Sequence, residues 1–320
     1  MLFKNMKKSI FISSLIIVSI LIAFFIFNNK NRELNYSFYH WKNSYNQTNI
    51  KDKLYIKVLE VKYSNKIELI KTKFITNPNK NSVPVVYITN EAMKNLSFKD
   101  ISKSIVQTLK NIDIKYHEVQ IDCDWSDLTK VNYFKLLEDL KSKLPLKLSA
   151  TIRLHQIKYY KRTGVPPVDY GLLMYYNMST ITKLETKNSI LDNNIAKKYH
   201  YNFETYPLKL KLALPLYSQA IWFRKTQALE ILEGVNEKDF STNFEMIKPN
   251  IYKCLKSDYF KGRYIYKNDI FRFEDSKEED IKTALKDFFS ISSNNFDEII
   301  FYTIKYKNKY DLDKLIKDYK

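Results

Sequence analysis

The chain has 320 residues, with 53 Lys and Arg against 35 Asp and Glu and only two cysteines, Cys123 and Cys254. Two cysteines exclude a disulfide framework, and without HExxH, CxxC or paired histidines at ligand spacing neither a metal site nor a cofactor is expected. The formal charge of +18 admits an acidic partner, but lysine is spread along the whole chain among Asn, Ile, Tyr and Phe, as A/T-rich coding drift would leave it. No helix clusters Lys and Arg at groove-reading spacing, so nucleic acid is not an expected partner.

In chain order, the first element is the uncharged run Ile10 to Phe27, just long enough to cross a hydrocarbon core of about 30 Å. Lys4, Lys7 and Lys8 precede it, which predicts a cytoplasmic N-terminus and an exported remainder. The exit, Phe25 to Lys30, offers no small-x-small cleavage site and no lipid-accepting cysteine, so a retained transmembrane helix is favoured over a cleaved signal peptide. Residues 1–30 are thus expected to anchor a single extracytoplasmic domain, residues 31–320, to the membrane.

Strand-length apolar runs then alternate with helical stretches, which predicts an α/β architecture with a mainly parallel sheet. The expected strands are Tyr36–Trp41, Leu54–Val61, Val83–Thr89, His117–Asp124, Lys147–Arg153, Gly171–Tyr176, Leu208–Tyr217 and Phe296–Thr303. Ser97 opens a helix with Ile101, Ile105 and Leu109 on one face, and a second helix carries Tyr133, Leu136, Leu137 and Leu140. Eight strands predict a closed (β/α)8 TIM barrel, with Asp311 to Tyr319 as a closing helix. Residues 220–289 read as an insertion before the last strand, and Arg263–Phe273 within it as a hairpin around a Lys-Asn-Asp turn.

The most informative segment is Val119-Gln-Ile-Asp-Cys-Asp-Trp-Ser126. Alternate side chains of a barrel strand point inward, so Asp122 and Asp124 share one side, with Asp124 near the C-terminal mouth where such barrels do chemistry. Acids in an apolar strand are costly unless hydrogen-bonded, paired or working; capping of neighbouring loops is the competing explanation.

Ile121-Asp-Cys-Asp-Trp125 resembles the fourth-strand Asp-Gly-x-Asp-x-Asp-x-Glu motif of family 18 chitinase-like glycosidases. Leu148–Thr151, Met174-Tyr-Tyr-Asn177 and Leu214–Tyr217 are similar to the family's following strands, and the motifs span about Val119 to Tyr217. The resemblance implies a glycosidase-like barrel acting on or binding an envelope or extracellular polysaccharide. Three departures qualify it: Ser126 stands where the family has its general acid, Val119-Gln120 replaces the leading Asp-Gly, and Asn177 stands where the family has an aspartate that orients the substrate's N-acetyl group. Hydrolysis by the family route is therefore not expected, and a non-catalytic carbohydrate-binding or scaffold barrel is the alternative.

Asp124, Asp122 and Glu91, which follows the third strand, are the candidate catalytic carboxylates; Glu60 and Asp127 are weaker candidates. Arg153, His155 and Gln156 form a polar group at the end of the fifth strand. Arg153 paired with Asp122 or Asp124 favours ligand anchoring over acid catalysis. Trp125, Tyr176, Asn177, Tyr217 and Trp222 complete the expected sugar-binding set. No phosphate loop or Gly-x-Ser-x-Gly elbow is present, which excludes nucleotide and esterase chemistry of those types.

Overall fold

The computed structural model describes residues 34–291 and 297–319. The anchor expected over Ile10–Phe27 lies outside the described residues, and no helix among the described residues is long and apolar enough to cross a membrane.

Eight parallel strands close a barrel: β1 Asn35–His40, β2 Leu54–Tyr63, β3 Val83–Ile88, β4 Glu118–Asp122, β5 Lys147–Arg153, β6 Tyr170–Met174, β7 Leu210–Pro215 and β8 Glu298–Tyr302. Closure comes from β1, which pairs with β8 in the register Asn35↔Glu298 and with β2 in the register Phe38↔Leu54. All eight expected strands are present, and each is shorter or longer than expected by a few residues at most.

The period-two pattern sorts the side chains into two layers. Val119, Ile121 and Cys123 point outward with Ile101, Ile105, Leu136 and Leu140 of the covering helices, forming the larger core. Tyr39, Tyr55, Val85, Leu172, Met174, Ala213 and Ile300 fill the barrel interior. The helix Phe98–Lys110 starts as expected, with Ser97 Oγ accepting from the Asp100 amide at 3.2 Å, a bond that satisfies an otherwise orphaned first-turn donor. The floor of the barrel is polar: Lys53 and Lys211 donate to Glu298 at 2.9 and 2.7 Å, and Tyr170 donates to Glu118. The two ammonium groups outweigh burial and hold the Glu298 carboxyl below the usual carboxylate range.

Close packing between layers leaves no room for a side chain at Gly171. A Cβ there would lie 2.2 Å from Ile152 Cδ1 and 3.0 Å from Leu210 Cδ2. Gly171→Ala is expected to lower stability by about 1–3 kcal/mol, the usual cost of overpacking, read as a shift of the urea midpoint; an unchanged midpoint would mean that Ile152 rotates away freely.

The insertion differs in detail from expectation. It is a five-stranded antiparallel sheet in the order Gln227–Glu233, Ser218–Arg224, Ile270–Asp275, Ile251–Cys254, Phe244–Lys248, so it starts two residues earlier than expected. The helix Glu278–Ile291, most of which falls within the expected insertion 220–289, packs Ile281, Leu285 and Phe288 into the barrel's outer core. The expected hairpin over Arg263–Phe273 is absent: Arg263–Ile265 pairs with Asp258–Phe260, while Ile270–Asp275 pairs with Ser218–Arg224 and Ile251–Cys254. The physical reason is Asp269. Its carboxylate accepts from the Tyr266 amide, Trp222 Nε1 and the Arg224 guanidinium, fixing the Lys-Asn-Asp segment as a loop between two sheets. Seven aromatic rings, Trp222, Phe240, Phe244, Tyr252, Phe260, Phe271 and Phe273, pack together in the sheet's core.

Candidate functional site

The C-terminal ends of the strands open into a cavity of about 330 Å3 lined by Asp122, Asp124, Arg153, Asn177 and Glu233 together with an aromatic wall. Asp122, the last residue of β4, faces inward as its alternation requires. It is 8% exposed, and its Oδ1 accepts from Thr151 Oγ1 at 2.6 Å. Burial, reinforced by the nearby charge of Asp124, pushes its carboxyl up to about 6.

Asp124 stands above it and is half exposed. Arg153 grips it with two parallel bonds, Nε to Oδ1 at 2.7 Å and Nη2 to Oδ2 at 2.6 Å. Such fork-to-fork pairing fixes both groups in one plane. The third guanidinium nitrogen, Nη1, donates to the Asn177 carbonyl at 3.3 Å, and Tyr217 donates to Asn177 Oδ1 at 2.6 Å. Asn177 has φ 56°, a left-handed conformation that Asn tolerates better than most residues. One chain of bonds thus runs from β4 through β5 to the ends of β6 and β7.

Beside the mouth a groove of about 510 Å3 shares Asp124, Arg153, Tyr176 and Asn177 with the cavity and extends past Trp125, Ser126 and His155 to Tyr199. His155 is exposed on its rim. Trp125 is 4% exposed; its ring stacks on Tyr133 at 5.3 Å and its Nε1 donates to the Thr163 carbonyl at 3.2 Å. Ser126 is tied into the following turn, its amide donating to Thr129 Oγ1 at 2.9 Å.

Three of the expected residues stand elsewhere, and a fourth, Gln156, lines the groove but has both ends of its amide engaged by backbone. Gln156 is buried and bridges two loops, accepting from the Arg153 amide and donating to the Trp125 carbonyl. Trp222 lies in the insertion core, stacked on Phe271 with its Nε1 on Asp269 at 2.9 Å; the strand carrying it runs into the insertion sheet, away from the barrel mouth. Glu91 is exposed in the first turn of the helix Asn90–Asn95, accepts from Asn95, and does not line the cavity. Glu60 is engaged by Lys57 and Lys62 at 3.1 and 3.0 Å.

Tyr87, Tyr302 and Glu233 are among the lining residues that were not anticipated. Tyr87 and Tyr302 fall at inward positions near the ends of β3 and β8, so alternation alone contained the signal. Glu233 ends an insertion strand and accepts from Tyr306 at 2.7 Å; barrel periodicity carries no information about it. Among the described residues no group of three or more His, Cys, Asp or Glu is placed to hold a metal ion.

The barrel shares its fold with solved structures at low sequence identity. It is similar to the spore cortex-lytic enzyme SleL of Bacillus cereus, with 13% identity and a TM-score of 0.51, over 86% of this chain and 72% of that one. It is also similar to the C-terminal domain of a candidate chitinase from Desulfitobacterium hafniense DCB-2, with 11% identity and a TM-score of 0.50, over 89% and 97% of the two chains. No family model and no curated protein sequence matches the chain.

Proposed function

We propose that this barrel recognises a polysaccharide of the envelope or the extracellular space at its C-terminal mouth, as a divergent relative of the family 18 chitinase-like glycosidases. The observation that carries the reading is the Arg153–Asp124 pair. Both carboxylate oxygens are engaged by one guanidinium at 2.6–2.7 Å at the entrance to an aromatic-walled cavity. A planar, fixed array of charged donors and acceptors suits sugar hydroxyls, and aromatic faces suit the apolar faces of pyranose rings. The uncharged run Ile10–Phe27 supports placing the barrel outside the cytoplasm, tethered to the membrane.

Hydrolysis is a second reading, favoured by one observation: Asp122, which holds its proton up to about 6, shares the cavity with Glu233. Glycoside cleavage needs an acid and a base or nucleophile across one bond. Ser126, where the family has its acid, supports recognition without cleavage.

One panel tests both readings: envelope and plant oligosaccharides are titrated against the domain while reducing ends are counted. Asp124→Asn is expected to weaken binding at least about tenfold, since a charge-assisted bidentate contact contributes about 1.5–3 kcal/mol. Full affinity in that variant would remove the pair from the site. Reducing-end release that disappears in Asp122→Asn would establish the hydrolytic reading.

A further inference from the structure

The mouth cavity contains a charge that its own side chains leave unmatched. Three carboxylates line it: Asp122, Asp124 and Glu233. Arg153 is committed to Asp124 through both oxygens. Glu233 accepts from Tyr306 and lies 3.7 Å from Lys305. Asp122 has no cation of its own. Thr151 holds its Oδ1, and among the described residues its Oδ2 has no hydrogen-bond donor, although the side chain is more than nine-tenths buried and faces the cavity. A buried carboxylate without a counter-charge is expensive, and retaining its proton is the usual response; the upward shift of Asp122 is that response.

The walls around this acid are rings. Tyr39, Trp41, Tyr87, Tyr176, Tyr217 and Tyr302 line the cavity and touch in sequence, with Trp41–Tyr87 at 5.9 Å, Tyr176–Tyr302 at 5.7 Å and Tyr217–Tyr302 at 5.5 Å. Aromatic faces attract cations through the ring quadrupole, most strongly where water is excluded. A ligand ammonium would supply both the missing counter-charge and the missing donor to Oδ2. A neutral N-acetyl group would leave the charge of Asp122 uncompensated.

We propose that the mouth selects a glycan bearing a free amino group, an unacetylated amino sugar whose ammonium sits against Asp122 within the aromatic wall. This rests on the recognition reading above and names its ligand class. The test titrates the protein near neutral pH with glucosamine and galactosamine oligomers and with their fully N-acetylated counterparts. The amino forms are expected to bind at least about tenfold more tightly, the effect of one favourable charge contact. In Asp122→Asn, confirmed as folded by circular dichroism, the preference is expected to shrink to within about threefold. Equal or tighter binding of the acetylated forms overturns the amine inference and leaves glycan recognition standing. Failure of every oligomer to bind overturns both. A preference that survives in Asp122→Asn removes Asp122 from the selecting group and overturns the proposal as stated.

Discussion

Arg272→Ala is expected to cost about 3–5 kcal/mol of unfolding free energy, the usual consequence of leaving one partner of a buried ion pair alone. Arg272 and Glu274 are 1% and 0% exposed and joined by an Nε–Oε1 bond of 2.8 Å. The remaining guanidinium nitrogens donate to the carbonyls of Lys183 and Ile181, and Glu274 also accepts from Ser189 and from Gln219 at 2.8 Å. Truncation therefore strands a buried carboxylate and two backbone carbonyls together. Replacing both partners with apolar residues, Arg272→Met with Glu274→Leu, removes the stranded charge and is expected to recover much of the loss. Urea denaturation of the two variants separates these costs, and a single-variant loss below about 1 kcal/mol would contradict a desolvated pair.

That pair also links the insertion to the mouth. Ile181, whose carbonyl Arg272 holds, lines the cavity, as does Asn177 just before the segment that Arg272 and Glu274 hold down. Amide exchange over residues 178–190 is therefore expected to quicken in Arg272→Ala beyond the change in global stability. The insertion acts as a brace: a strand of its sheet reaches across to fix a barrel loop from which two cavity residues project.

The barrel was legible because each strand repeats one local rule. Val119, Ile121 and Cys123 alternate with Gln120, Asp122 and Asp124, and this period fixes which face meets the helices and which meets the interior. The same rule puts Asp122 and Asp124 on one side of the strand, and both line the mouth cavity. It applied equally to Tyr87 and Tyr302, whose inward positions near strand ends were there to be read. Other features depend on contacts between segments far apart in the chain. Gln156 reads as a ligand-binding polar residue, yet its partners are the Trp125 carbonyl and the Arg153 amide. Trp222 reads as a sugar platform until Asp269 and Phe271, more than forty residues on, claim both its nitrogen and its face. Glu233 reaches the mouth only because the insertion sheet folds back over it, a placement that no period along the strand encodes.

Asp122→Asn is expected to make the protein more stable, and only above a defined pH. The carboxyl rises from 3.8 to about 6 on folding, mainly through burial and then through Asp124. A raised acid contributes stability that is fully present below its unfolded value and lost as pH climbs through its folded value. The wild-type protein therefore gives up stability between about pH 4 and pH 6, by ~3 kcal/mol at ~1.36 kcal/mol per unit. Asparagine has the same shape, keeps an acceptor for Thr151 Oγ1 and does not ionise. The difference between variant and wild type should be near zero below about pH 4 and grow to ~3 kcal/mol above about pH 6 in favour of the variant. Urea midpoints measured across that range decide the matter. A variant less stable at high pH would mean that the charge of Asp122 is well matched inside the cavity. A gain that opens with pH, accompanied by weaker binding of glycan, would place Asp122 among residues kept at a cost to stability because the site uses them.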